Sequence, residues 1–257
     1  MSEIMDFLNA IPPVTKAILA PSVALPLVLR FYRELYEYVY FSPKDIFTKG
    51  QLWRLVSPFF VWQLGFSYII NMFFLYRHMK QLEEEEFRGR RADLIWMLVL
   101  LCVGILILGG IGHQVFLSEA LLMSILYVWS RKFPDVNMTF MFGLRFKSQY
   151  LVWVLTIYHF ILGAPIWQDV IGIVCGHIYW FCADVLPRTH DVNVVGAPML
   201  LQRLVPNTGV AGVQYMNGQF EAHAPENPLR PNNAGGAQQE GQLFHRHNWG
   251  AGHRLGE

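Results

Sequence analysis

Residues 93–112 read DLIWMLVLLCVGILILGGIG, and this stretch decides the fold. After Asp93 it carries no charge, and about 20 mostly apolar residues are what a helix needs to cross the hydrocarbon core of a bilayer. Outward from it, residues 55–76 form a second span rich in aromatics, and residues 149–165 and 169–186 form two more, parted by a turn with Gly163 and Pro165. Residues 14–31 are a weaker span. Lys16 and Arg30 sit at its ends, where long side chains snorkel to the interface, and Pro21 and Pro26 inside it should kink it. Residues 115–129 are short and hold Glu119 near their start. Counting both gives six spans.

Six spans place both termini on one side, and the basic residues choose the side. Arg77, Lys80, Arg88, Arg90 and Arg91 follow the second span; Arg131, Lys132, Arg145 and Lys147 follow the fourth. These loops read as cytosolic. The links after the third and fifth spans hold no Lys or Arg, and the long first loop holds Arg33, Lys44, Lys49 and Arg54 spread through aromatics. The acidic run 83–86 falls in a cytosolic loop, where it reads as a solvated face. Glu3 and Asp6 stand where a secretory signal would be basic, and Pro12 and Pro13 precede the apolar run, so the first span reads as uncleaved.

Composition agrees. Of 257 residues, 53% are hydrophobic but only 15% charged, with a net charge of +1, against about 25% charged in an average soluble domain. The balanced charge removes the basic footprint of a nucleic-acid binder. Cys102, Cys175 and Cys182 lie inside apolar runs without metal-ligand spacing and read as small core hydrophobes. No metal and no cofactor is expected.

The chain divides into an N-terminal segment 1–13, a membrane domain 14–186 and a tail 187–257. The tail turns abruptly to Gly, Asn, Pro and Gln, a composition that buries too little apolar surface to offset its chain entropy. It is expected to be largely disordered. Residues 198–205 are the exception, where Met199, Leu200, Leu201 and Leu204 suit a short amphipathic turn on the bilayer surface.

QLWRLVSPFF (51–60) places Trp53 and Arg54 just before the second span, on a bland reading as interfacial anchors. Set beside MSILYVWSRKF (123–133), PDVNMTFMFGLRFK (134–147), GIVCGHIYWF (172–181), IPPVTK (11–16) and HNWGAGHRLGE (247–257), it resembles the Derlin family of rhomboid-like proteins. The resemblance covers essentially the whole chain. It implies an all-α membrane protein with a six-transmembrane-helix rhomboid-like fold and a disordered C-terminal tail.

Rhomboid proteases carry a Gly-x-Ser-Gly motif in the fourth span and a histidine base in the sixth, and no Gly-x-Ser-Gly occurs here. Ser118 and Ser124 lack nearby glycines that would open an oxyanion hole. His177 has no competent serine to serve, and both it and His159 read as packed or hydrogen-bonded structural histidines. The resemblance thus implies a protease fold without its chemistry. Gly172 and Gly176 form a Gly-x-x-x-Gly face that admits a close helix, and the resemblance implies that it packs span six against span four.

Polar residues inside spans are functional candidates by default. Gln63, Ser67 and Asn71 recur every fourth residue and should share a helix face, while Gln114, Ser118 and Glu119 stand near the mouth of spans three and four. They either wet a cavity or satisfy one another in the bundle. In the tail, Trp249, Gly250, Gly252, Arg254, Leu255 and Gly256 resemble an SHP box, two apolar anchors and a charge on a backbone thinned by glycine.

The resemblance implies an endoplasmic reticulum membrane protein that promotes retrotranslocation of misfolded proteins for degradation beside a thinned bilayer. Its implied partners are a valosin-containing-protein type AAA ATPase bound through the tail, an ER ubiquitin-ligase complex, misfolded substrates and further copies of itself. A passive adaptor for the ATPase and an active intramembrane serine protease are the rival readings.

Overall fold

The computed structural model describes residues 10–139, 143–190 and 195–205, and its framework is six helices. They are α1 (Pro13–Phe31), α2 (Phe66–Gln81), α3 (Arg91–Ile111), α4 (Ser118–Lys132), α5 (Leu151–Ile161) and α6 (Ile166–Trp180). A π-turn, Phe181–Val185, and Leu186–His190 continue α6 past the expected end of its span. Three helices among the described residues are long and apolar enough to cross a bilayer by themselves: α1, α3 and α6 with its extension. By contrast α2, α4 and α5 have 16, 15 and 11 residues. At 1.5 Å per residue α5 reaches only about 16 Å, against a hydrocarbon core of about 30 Å.

Helix α3 is apolar all round, and its position explains why. Leu94, Met97, Leu101, Ile105 and Gly109 recur at three- and four-residue steps and are buried, while Val99, Val103, Ile107 and Ile111 face outward. Helix α4 is the axis of the bundle. Ser118 and every residue from Ala120 to Ser130 are buried.

Helix α1 begins at Pro13, which needs no amide partner at a first-turn position. Its free amides are capped from far along the chain. Val14 N and Thr15 N donate to the Glu83 carboxylate at 3.1 and 2.7 Å, and the Thr15 hydroxyl adds a third bond at 2.8 Å. The run 83–86 is therefore more than a solvated acidic face, because a helix N-terminus wants an anion and Glu83 supplies it from a buried position. Helix α1 runs through Pro21 and Pro26. Pro26 has no N–H for the Ser22 carbonyl one turn back, and the Tyr68 hydroxyl of α2 donates to that oxygen at 3.3 Å.

The second span does not start where apolarity starts. Residues Leu52–Leu55 and Ser57–Phe59 are tight 3₁₀ turns, and the helix begins only at Phe66, after Gly65. Pro58 cannot donate within a helix interior. Its carbonyl instead accepts from Leu117 N at 3.0 Å, and Phe59, Val61 and Trp62 are buried. The segment is a packed turn held against the start of α4, with the same composition as a span but without its geometry.

The stretch 134–147 contributes the one exception to an all-helical bundle among the described residues. Asn137–Thr139 pairs antiparallel with Arg145–Lys147, Met138 opposite Phe146. The amphipathic turn expected near 198–205 is the short helix Met199–Leu204, with Met199, Leu200 and Leu204 exposed.

Candidate functional site

At one end of the bundle, where α5 ends and α2, α4 and α6 begin, polar side chains meet in an apolar setting. His159 Nδ1 donates to both carboxylate oxygens of Asp169 at 3.0 and 2.9 Å, with both residues buried. The other ring nitrogen of His159 stands 3.5 Å from the buried Asn71 amide. Glu119, at the first turn of α4, is near enough to the same histidine and aspartate to interact with their charges. Four polar residues from four helices thus share one place. An amide or carboxylate lodged there is held by its partners, since nothing else in hydrocarbon satisfies it.

Of the polar residues singled out in the sequence, Asn71 and Glu119 join this group. Ser67 lies near the Tyr158 hydroxyl of α5. The other three go elsewhere. Ser118 donates to the Val61 carbonyl at 2.6 Å, tying α4 to the packed turn before α2, and Gln114 donates to Gly112 O at 2.9 Å. Gln63 is exposed and precedes the helix, so it does not share a helical face with Ser67 and Asn71 as its spacing suggests. Asp169, the strongest bond in the group, sits in the first turn of α6 and was legible only as the opening acid of a span.

Trp53 and Arg54 are structural before they are interfacial. Arg54 is 4% exposed. It donates to the Tyr40 and Glu37 carbonyls at 2.9 and 2.7 Å and to Gln51 Oε1 at 2.6 Å, and it stacks 4.5 Å from the centre of the Tyr40 ring. Trp53 Nε1 donates to Tyr38 O and Ser57 to Val39 O. Four consecutive carbonyls, of residues 37–40, are thereby closed by three side chains further along the same loop, and the first loop is pinned to itself.

The seam between α4 and α6 is glycine-built. A Cβ on Gly172 would overlap the Ala120 carbonyl oxygen and stand 2.8 Å from Met123 Cβ, and one on Gly176 would stand 2.8 Å from Tyr127 Cβ and 2.9 Å from Ser124 O. On the same seam the Tyr127 hydroxyl lies 2.7 Å from His177 Nδ1 and accepts from Arg131 Nε at 3.0 Å. Ser124 donates to Leu121 O at 2.8 Å, so its hydroxyl serves its own helix rather than an imidazole.

The far end of the bundle is a charge knot. Lys132 at the end of α4 bridges Glu86 at 2.9 Å and Asp184 at 2.7 Å, and Trp129 Nε1 donates to Gln81 at 3.0 Å. Among the described residues no group of three or more His, Cys, Asp or Glu is placed to hold a metal. The tail residues Trp249, Gly250, Gly252, Arg254, Leu255 and Gly256 lie outside the described residues, as do most of residues 1–13.

A bundle with a buried α4 axis, a glycine seam to α6, short helices beside it and an arginine-pinned first loop defines a rhomboid-like membrane protein. The comparisons give the family. The Der1-like family pattern matches residues 11–199. Derlin-1 of Homo sapiens is 33% identical over 264 aligned residues that span 100% of both chains. Derlin-2.1 of Arabidopsis thaliana is 34% identical over 199 residues, 73% of this chain and 81% of its own, and Derlin-2.2 of Zea mays is 33% identical over 73% and 80%. The chain belongs to the Der1-like family, and it is a membrane protein of that family.

Proposed function

We propose that the chain is a catalytically inactive rhomboid-like protein of the endoplasmic reticulum membrane, with both termini in the cytosol, that promotes retrotranslocation of misfolded proteins for proteasomal degradation. The observation that carries this reading is the polar group Asn71, Glu119, His159 and Asp169 lodged where four helices meet beside α5, itself only 11 residues long. A short helix draws the bilayer thin around it, and each backbone group of a polar chain entering lipid costs several kcal/mol. A thin bilayer beside buried polar side chains lowers both costs.

Family membership supports the rest. The tail residues Trp249 to Gly256 recruit a valosin-containing-protein type AAA ATPase that supplies directional force, an ER ubiquitin-ligase complex marks the substrate, and copies of the chain assemble around the path. The absence of protease chemistry is favoured by hydroxyl geometry: Ser118 and Ser124 each donate to a backbone carbonyl, of Val61 and Leu121.

The test separates conduction from recruitment. Asn71→Leu and His159→Leu are expected to slow degradation of a misfolded membrane substrate several-fold while the ATPase still co-purifies. Trp249→Ala with Arg254→Ala is expected to lose the ATPase. Unchanged degradation in Asn71→Leu and His159→Leu would leave the passive adaptor as the better reading.

A further inference from the structure

At the far end of the α4–α6 seam, hydrogen-bond bookkeeping fixes the state of a lipid-facing histidine. Arg131 Nε has only a hydrogen to give, so the Tyr127 oxygen accepts it at 3.0 Å. The Tyr127 hydroxyl hydrogen has no other acceptor among the described residues, and it goes to His177 Nδ1 at 2.7 Å. With Nδ1 accepting, the neutral imidazole carries its own hydrogen on Nε2. Two donor groups, His177 Nε2–H and the Arg131 Nη nitrogens, are thus oriented by one hydroxyl, and neither has a hydrogen-bond partner among the described residues.

Both side chains are exposed, and both are held still. The Arg131 guanidinium lies 5.1 Å from the Tyr127 ring centre and 5.2 Å from that of Trp180, and the His177 ring lies 5.7 Å from each of those rings. A cation stacked between two rings has given up its rotamer freedom before any ligand arrives. Its neighbour Lys132 is engaged by Glu86 and Asp184, which among the described residues leaves Arg131 as the uncompensated charge of this helix end.

The surroundings name the ligand. On α6 His177 points away from the side where Cys175 meets Gly104 of α3, and Val174, Ile178 and Phe181 beside it are exposed apolar residues on a helix that crosses the membrane. Arg131 sits in the last turn of α4, beside Trp180. We propose that Arg131 and His177 bind the phosphodiester of a glycerophospholipid, its two non-bridging oxygens on Arg131 Nη and His177 Nε2 and its acyl chains along Val174, Ile178 and Phe181. One free cation and one neutral N–H match the single negative charge of a phosphodiester better than the near-double charge of a phosphomonoester. The site lies at the other end of the bundle from the Asn71–Asp169 group, and the inference does not rest on the function proposed above.

Native mass spectrometry of the full chain, relipidated with dioleoylphosphatidylglycerol or dioleoylphosphatidylcholine, tests it. The wild type is expected to keep about one phospholipid of either kind per chain after loosely held lipid is stripped, as basic pockets between helices do. Arg131→Gln is expected to lose it and His177→Leu to hold it several-fold more weakly. Tyr127→Phe keeps the ring and frees both donors, so it should also retain less lipid. His177 is exposed, so His177→Leu decides the question even if Arg131→Gln fails to fold. Equal lipid retention in the wild type and His177→Leu would overturn the proposal. So would a wild type that binds inorganic phosphate alone while keeping no phospholipid.

Discussion

The α4–α6 seam and the α5 attachment are built on opposite principles, though both join neighbouring helices of one bundle. At the seam, glycine removes side chains so that backbone meets backbone, with Gly172 against Ala120 and Met123 and Gly176 against Ser124 and Tyr127. Helix α5 is 11 residues long and shows Trp153, Ile157, Phe160 and Ile161 to the outside. What anchors its end is chemistry rather than contact area: His159 bonds Asp169 of α6 and approaches Asn71 of α2. A seam that leaves no volume has one arrangement, because packing is lost outright when two backbones separate. An attachment made of exchangeable polar bonds has more than one, since water or a passing amide can take the place of a partner. The seam is the frame, held by volume, and the end of α5 is joined to it by bonds.

That contrast breaks first at the glycines. Gly172→Val forces a branched side chain onto the Ala120 carbonyl and should cost about 3 kcal/mol or more, at or beyond the upper end of ordinary overpacking. Gly176→Ala, with a single Cβ 2.8 Å from Tyr127 Cβ, should cost about 1–3 kcal/mol. Steric trapping or thermal unfolding in detergent reads both, and a Gly172→Val protein of wild-type stability would dissolve the contrast.

The α5 attachment should respond more mildly. His159→Leu and Asp169→Leu, with the double variant, measure the coupling between the two residues. Polar pairs between membrane helices give about 0.6 to 2 kcal/mol, so the coupling should lie there while each single change costs more by leaving its partner unpaired. Cysteine accessibility along α5 should rise in the single variants and leave α4 unchanged. If α4 opens equally, α5 is as much a part of the frame as the seam is.

Glu83 sharpens the same point on the other side of the bundle. Glu83→Ala removes the cap from Val14 and Thr15 and should cost about 1 kcal/mol, the usual size for a lost N-cap, read as earlier unfolding and faster amide exchange at the start of α1.

What was legible in the sequence follows from how far apart the cooperating residues are. Apolar runs found five of the six helices to within a few residues, because lipid imposes length on a local stretch. The exception, the start of α2, failed because residues 55–65 are as apolar as a span. Only Pro58 and Gly65 hinted that they turn instead. The glycine seam was readable because Gly172 and Gly176 are one helical turn apart. The Glu83 cap joins residues 69 and 68 positions apart, and no local pattern announces such a pair. Asp169 lay within reach, since an acid opening an apolar span ten residues after a histidine in the preceding span has a partner within a hairpin's length. Tyr127 and Arg131 were hidden by type: a tyrosine and an arginine at a membrane boundary read as anchors until their hydroxyl and guanidinium are seen to meet His177 and Trp180.

The smallest effect is also the most specific. Pro26 gives the Ser22 carbonyl no amide hydrogen, and Tyr68 of α2 donates to that oxygen at 3.3 Å. Tyr68→Phe should therefore cost about 0.6 kcal/mol, the average for a polar contact between membrane helices. Pro26→Ala restores an amide at position 26 that can bond Ser22 within α1, leaving the tyrosine nothing to repair. In that background Tyr68→Phe should be neutral in the same unfolding measurement. If instead Tyr68→Phe costs as much in the Pro26→Ala background as in the wild type, the hydroxyl serves α2 in some other way, and α1 is fixed by Glu83 and packing alone.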